Sequence, residues 1–317
     1  MTRLLPLILT LTASSALAEV PRVATDIAPV HGLAAKVMEG LGAPDLIVPP
    51  DASPHDFALR PSQARALQDA GLVIWIGPDL TPWLERTLNS LSTATTLELN
   101  ALPGTHLVEW RDLEAFGEDH DDHEDEHDDN EEEHDEGEDD HGHEHGAADP
   151  HSWLDPENAK TWTDAIAAEL ARQDPENAVT YQANADAAKA AIDAAAAEAA
   201  ERLAPHRDAG FLVFHDAYQY FEAHFDLHAT GSIADSDAAM PGPGRIRELQ
   251  ARIAEDGIAC LFAEPQFESG LIDTLAEGSG ARIAVLDPLG TGLEPGAGFY
   301  PALLGAMTDA MAGCFEG

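Results

Sequence analysis

Imidazole and carboxylate groups crowd into one stretch of this chain, residues 117–147, GEDHDDHEDEHDDNEEEHDEGEDDHGHEHGA. Seven histidines (His120, His123, His127, His134, His141, His143 and His145) stand there among eighteen Asp and Glu, with no Lys, Arg or large apolar residue. Nitrogen and oxygen donors at that density attract divalent transition metals. Their irregular spacing defines no single coordination sphere, so several weak, exchangeable sites are expected. Such a segment cannot bury enough surface to offset the entropy of ordering, so a disordered loop extended by charge repulsion is expected. An acidic solubilising loop is the competing reading. Seven histidines in so short a span favour metal capture.

A second set of metal-capable residues is scattered. His55 follows an apolar run at 46–48, and His215 directly follows one at 211–214. Asp287 follows a run at 282–286, and His151 is the first histidine after the acidic segment, stiffened by Pro150. Three imidazoles and one carboxylate make a chemically complete tetrahedral zinc set. A closed set of four suits binding better than catalysis, which keeps a position open. No local spacing links the four, and each has a plain structural alternative: His55 and His215 as caps or loop residues, Asp287 before Pro288 as a turn residue. His31, His106, His206, His224 and His228 have less favourable positions and read as surface or satisfied structural residues. Asp56 and Asp216, beside two candidate ligands, read as helix-start carboxylates rather than partners of the imidazoles.

The elements that must position these groups alternate. Strands are expected at 22–25, 46–48, 72–76 and 95–99, with helices at 30–41, 61–70 and 81–89 between them. The run at 72–76 is continuously apolar, as in a strand buried on both faces. After the acidic segment, Asp155-Pro156-Glu157 and Asp174-Pro175-Glu176 each open a helix. The second is Ala-rich to about 203, and Ala is the best helix former. One long helix, about 40 Å, is expected to link two lobes. Its mostly Ala positions argue against coiled-coil pairing. Strands at 211–214, 229–233, 260–263 and 282–286 then alternate with helices at 216–224, 243–256, 269–278 and 300–312. The fold class is therefore α/β, two (β/α) lobes with parallel-rich sheets joined by one long helix. Ligands in such sheets bind beyond the carboxyl ends of the strands, which places the metal cleft between the lobes. The expected division is 19–173 for the first lobe, 174–204 for the linking helix and 205–317 for the second lobe.

The 317 residues carry a formal net charge of −43. That argues against nucleic acid and anionic membrane surfaces as partners, and favours cations. Residues 1–18, MTRLLPLILTLTASSALA, combine Arg3, an apolar core at 4–11 and Ala16-Leu17-Ala18, the pattern of a cleaved secretory signal peptide. No later stretch is apolar enough to span a bilayer, so no membrane insertion is expected. The two cysteines, Cys260 and Cys314, read as a disulfide in an exported chain, two free buried thiols being the alternative. No nucleotide-binding loop, HExxH helix or GxSxG elbow is present.

Five motifs in order resemble the periplasmic zinc-binding proteins of zinc-uptake ABC transporters, the ZnuA-like, cluster A-I family. They are Ser53-Pro54-His55-Asp56-Phe57-Ala58-Leu59-Arg60-Pro61-Ser62, Asp149-Pro150-His151-Ser152-Trp153-Leu154-Asp155-Pro156, Phe214-His215-Asp216-Ala217-Tyr218-Gln219-Tyr220-Phe221, Phe262-Ala263-Glu264-Pro265-Gln266-Phe267 and Leu286-Asp287-Pro288-Leu289-Gly290. The resemblance spans essentially the whole mature chain. It implies a non-enzymatic periplasmic carrier, a monomer that passes Zn²⁺ to a membrane permease. It places ligands at His55, His151 and His215, with Asp287 or water fourth, and implies the Cys260–Cys314 disulfide. Some zinc members have Glu just before the first histidine; here Pro54 stands there. Manganese members usually carry a carboxylate at the third position, so His215 favours zinc. A manganese or iron carrier, or a zinc hydrolase with Asp287 as base, is the alternative. The acidic segment is expected to raise local Zn²⁺ and hand it to the cleft.

Overall fold

Strands that are apolar on both sides can be buried only when helices cover both faces of the sheet. The computed structural model, described for residues 20–111, 148–234, 241–267 and 270–317, contains two such sheets. The first is built from β1 (Val23–Thr25), β2 (Asp45–Leu46), β3 (Leu72–Trp75) and β4 (Thr95–Glu98), in the order β2-β1-β3-β4. The second is built from β5 (Phe211–Val213), β6 (Gly231–Ser232), β7 (Cys260–Ala263) and β8 (Arg282–Val285), in the order β6-β5-β7-β8. Every pairing is parallel. The two sheets thus share one winding, and each reverses direction between its first and third strands, the point where open α/β sheets form a crevice.

Helices α1 (Ala28–Val37), α2 (Pro61–Asp69) and α3 (Pro82–Leu91) serve the first lobe. In the second, α6 (Gln219–Phe225), α7 (Pro243–Glu255), α8 (Gly270–Ala276) and α9 (Phe299–Glu316) do so. Between them lie α4 (Pro156–Gln173) and α5 (Ala178–Leu203). Asp155 caps α4 as its sequence predicts, its carboxylate accepting from the Glu157 N–H, with Pro156 in the first turn. The second start signal behaves differently: Pro175–Asn177 forms a single 3₁₀ turn, and the long helix begins at Ala178. The expected strands at 46–48 and 229–233 shorten to two residues each. Pairing nonetheless runs on past β2, with the Ile47 and Val48 N–H groups donating to Thr25 and Asp26 carbonyls.

The long helix is no bare rod. Its buried residues, Tyr181, Ala185, Ala188, Ile192, Ala199 and Leu203, recur at helical spacing and pack on α4, α1 and α9. Small Ala side chains let these helices approach closely. One hydrophobic core therefore runs unbroken from Val23 and Leu72 in the first sheet, through Trp162 and Tyr181, to Phe211 and Phe262 in the second. Two smaller cores back the outer faces, one around Val73 and Leu84, the other around Leu212 and Leu261. Cys260 on β7 and Cys314 on α9 are bonded, with Cα atoms 6.1 Å apart, which ties the last helix to an inner strand. Among the described residues no helix is long and apolar enough to cross a membrane.

Candidate metal centre

Each candidate histidine is set by a different element. His55 lies in the loop between β2 and α2, where Pro49, Pro50 and Pro54 oppose regular structure and Pro61 opens the helix that follows. Trp83 of α3 fixes that loop from its own lobe, its Nε1–H donating to the Pro54 carbonyl at 2.8 Å. His151 stands at the entrance to the short 3₁₀ turn Ser152–Leu154. His215 lies two residues beyond β5, at the switch point of the second sheet.

The fold brings these three together. One ligand atom from each of His55, His151 and His215 lies within 4.8 Å of the others. The Nε2 atoms of His55 and His151 are 3.2 Å apart. Two nitrogens of one tetrahedral zinc, at about 2.05 Å from the ion, stand roughly 3.3 Å apart. The pair is thus already spaced for a shared cation. His151 and His215 are buried, while His55 is half-exposed. The hollow between them is walled by Trp153, Phe267, Pro288 and Leu289 and is mostly apolar.

Carboxylates hold two of the rings from behind. His151 Nδ1–H donates to Asp149 Oδ1 at 2.7 Å, and the His151 backbone N–H donates to the same oxygen at 2.9 Å. His215 Nδ1–H donates to Glu264 Oε1 at 2.7 Å. Asp149 and Glu264 are themselves buried. A proton held on Nδ1 leaves Nε2 as the nitrogen that could ligate a metal and fixes the plane of each ring. Sequence reasoning assigned neither carboxylate. The signal was present for Glu264, which directly follows β7 as His215 follows the neighbouring β5.

Asp287, expected as a fourth ligand, is not in this group. Its Oδ1 accepts from the Leu289 and Gly290 N–H groups at 2.9 and 3.0 Å, and its Oδ2 accepts from the Thr291 N–H. Gln266 Nε2–H also donates to it, at 3.2 Å. The carboxylate is spent on a turn. Gly290 completes that turn at φ +70°, where a Cβ would meet the Phe299 ring at 2.7 Å. Asp216 departs from expectation too. It precedes α6 by three residues and forms a two-pronged ion pair with Arg111, at 2.8 and 2.7 Å. Arg111 also donates to Glu222 at 2.6 Å. Burial opposes the Arg111 charge, but the two carboxylates outweigh it and hold its pKa above the ordinary arginine range. Asp56 is exposed and starts no helix, α2 beginning at Pro61.

The remaining histidines behave as structural residues. His31 Nε2 meets the Pro44 carbonyl at 3.1 Å. His106 and His224, from different lobes, both face Asp155, at 3.0 and 3.4 Å. His206 and His228 approach Glu316 and Asp226. The seven histidines of the acidic segment (His120, His123, His127, His134, His141, His143, His145) lie outside the described residues. So do residues 1–18, expected as a signal peptide.

The chain matches the model of a family described as "Zinc-uptake complex component A periplasmic" (ZnuA) over residues 23–314. It is 46% identical over 306 residues to the high-affinity zinc uptake system protein ZnuA of Paracoccus denitrificans, covering 95% of this chain and 94% of that one. It is 40% identical over 314 residues to the protein of that name from Brucella suis, covering 96% and 94%. A crystal structure of a ZnuA superposes with a TM-score of 0.72 at 24% identity, covering 92% of this chain and 98% of the other. That last likeness concerns the fold alone.

Proposed function

Since the chain belongs to the ZnuA family of periplasmic zinc-uptake components, substrate-binding proteins of ABC transporters rather than enzymes, we propose that His55, His151 and His215 capture Zn²⁺ in the cleft. From there the protein delivers the ion to the permease of a zinc importer. The observation that carries this is the convergence of three imidazoles from both lobes, two of them fixed by buried carboxylates. An all-nitrogen set favours zinc over manganese or iron, which prefer more oxygen. The apolar wall strengthens each metal–ligand interaction by excluding water. Water completes the fourth position, and Asp287 stays in its turn. The carrier works as a monomer, and its first 18 residues are removed on export.

The acidic segment is an accessory collector in this reading. What supports it is its seven histidines and its position directly before Ala148 and His151. The described residues on either side of it meet, Glu109 bridging to Ala148 and the Asp149 N–H donating to the Val108 carbonyl. Ions released by the collector would therefore emerge beside the cleft.

Calorimetric zinc titration of the metal-stripped mature protein tests the proposal, beside His215→Ala and a deletion of residues 118–145. One tight site that survives the deletion and disappears in His215→Ala is expected. If the deletion removes the tight site and His215→Ala retains it, the segment is the principal binder and the cleft assignment falls. Competition with Mn²⁺ and Fe²⁺ in the same cell checks the choice of metal.

A further inference from the structure

Two ligands are buried and one is not: His55 is the half-exposed member, on a loop of the first lobe. An ion leaving the cleft must part from His55 first or carry it along. What holds that loop shut therefore governs release. From its own lobe the loop is held by Trp83 at the Pro54 carbonyl. From across the cleft it is held at the Pro50 carbonyl by two donors of the second lobe. Gln266 Nε2–H donates to it at 2.8 Å and Thr291 Oγ1–H at 2.8 Å.

Gln266 lies just beyond β7, two residues after Glu264, and lines the same hollow as the three imidazoles. Its amide is oriented without ambiguity. Nε2 faces three acceptors, the Pro50 carbonyl, Asp287 Oδ1 at 3.2 Å and Thr291 Oγ1 at 3.3 Å. Flipping the amide would turn an oxygen toward all three. Its Oε1, by contrast, is buried with no hydrogen-bond partner among the described residues. An unsatisfied buried acceptor is costly, so the side chain is held here for its donor. Asp287 supports both donors, accepting from the Gln266 side chain and from the Thr291 backbone.

Resting on the zinc reading above, we propose that Gln266 is a positioning residue that fastens the His55 loop across the cleft, with Thr291 as its second fastener and Asp287 as their support. It touches no metal. It slows the opening that frees the ion, so it acts on the release rate and not on capture, as differences among closely related complexes mostly do.

Zinc release into excess chelator, followed by stopped flow, tests this on the metal-loaded mature protein. Variants are Gln266→Met, which keeps the volume and loses the donor, and Thr291→Val. Loss of one such hydrogen bond corresponds to about tenfold. Gln266→Met is expected to release zinc about tenfold faster, and Thr291→Val several-fold faster, with zinc association unchanged and the unfolding temperature of the metal-free protein lowered by no more than about 4 °C. A purely structural role predicts the reverse, a larger fall in unfolding temperature with an unchanged release rate, and that result overturns the proposal. Should Gln266→Met fail to fold, an unchanged rate in Thr291→Val overturns it. The two readings fail separately. If the parent holds zinc tightly and both variants release it at the parent rate, only the fastening is lost. If the parent holds no zinc, or His215→Ala holds it as the parent does, both fall.

Discussion

The two lobes repeat one winding, yet their crevices are put to opposite uses. In each sheet the carbonyl of the residue after the first strand accepts from the neighbouring loop: Asp26 from Val48, Phe214 from Ala234. Asp26 and Phe214 are thus equivalent, and so are Ile27 and His215. In the first lobe the crevice is closed by Asp26, wholly buried, whose carboxylate accepts from the Ile27 and Ile76 N–H groups at 2.8 and 2.7 Å. In the second, a phenylalanine takes that place and the next residue supplies His215, braced by Glu264 where the first lobe has Ile76. Beyond the fourth strands the lobes agree again. Asn100 and Asp287 are equivalent, following Leu99 and Leu286, which donate to the third strands. Asn100 Oδ1 accepts from Ser152, beside His151, while Asp287 supports Gln266 and Thr291. Topology therefore offers a site twice. Polar groups that satisfy one another stop up one copy, and groups aimed outward equip the other.

This contrast can be broken at several points, and the largest effect belongs to His215→Ala. Zinc affinity should fall more than hundredfold, beyond the 10–100-fold typical of a residue that only orients a ligand, alongside a loss of metal-free stability of about 1–3 kcal/mol because buried Glu264 loses its donor. Calorimetry with urea unfolding reads both quantities. Equal affinity in the variant would move the site away from the second crevice.

Asp26→Ala should move stability alone. It leaves two buried N–H groups unpaired, at a cost of about 3 kcal/mol, without altering zinc affinity. Burial pushes the Asp26 carboxyl up to about 7, against the pull of the Ile76 and Ile27 N–H groups. A raised folded pKa means that the folded state holds its proton more tightly. The stability Asp26 contributes is therefore complete near pH 4 and lost as pH rises through about 7. Asp26→Ala should consequently destabilise the metal-free protein more at pH 5 than at pH 8. A larger loss at pH 8 would contradict the neutral plug.

Glu264→Gln sharpens the comparison from the other side. It keeps the shape beside His215 and removes the charge, and a 10–100-fold weaker zinc affinity is expected. Unchanged affinity would reduce Glu264 to packing. The smallest effect is expected of Asp287→Asn, with zinc affinity falling by no more than the roughly tenfold expected of Gln266→Met, since its oxygens serve a turn and support Gln266 and Thr291. A loss comparable to His215→Ala would restore it as a ligand.

Alternating apolar runs and helical faces carried the α/β class, the two lobes and the long helix, because burial on a sheet or a helix face leaves a period in the sequence. His55 and His215 stood out by their places after strands, His151 by its place after the acidic segment, and all three by the motifs around them. Asp287 stood out as a residue, but its turn contacts did not, since an Asp-Pro-Leu-Gly turn and a metal ligand look alike until the donors around the carboxylate are known. Glu264 and Asp149 were missed as ring partners for a similar reason: what a carboxylate does depends on who faces it. The sequence by itself determined which donors exist and which strand ends present them. Only the tertiary structure decided which ones meet, because residues 55, 151 and 215 become neighbours through two sheets docked on one shared core, and no spacing along the chain records that docking.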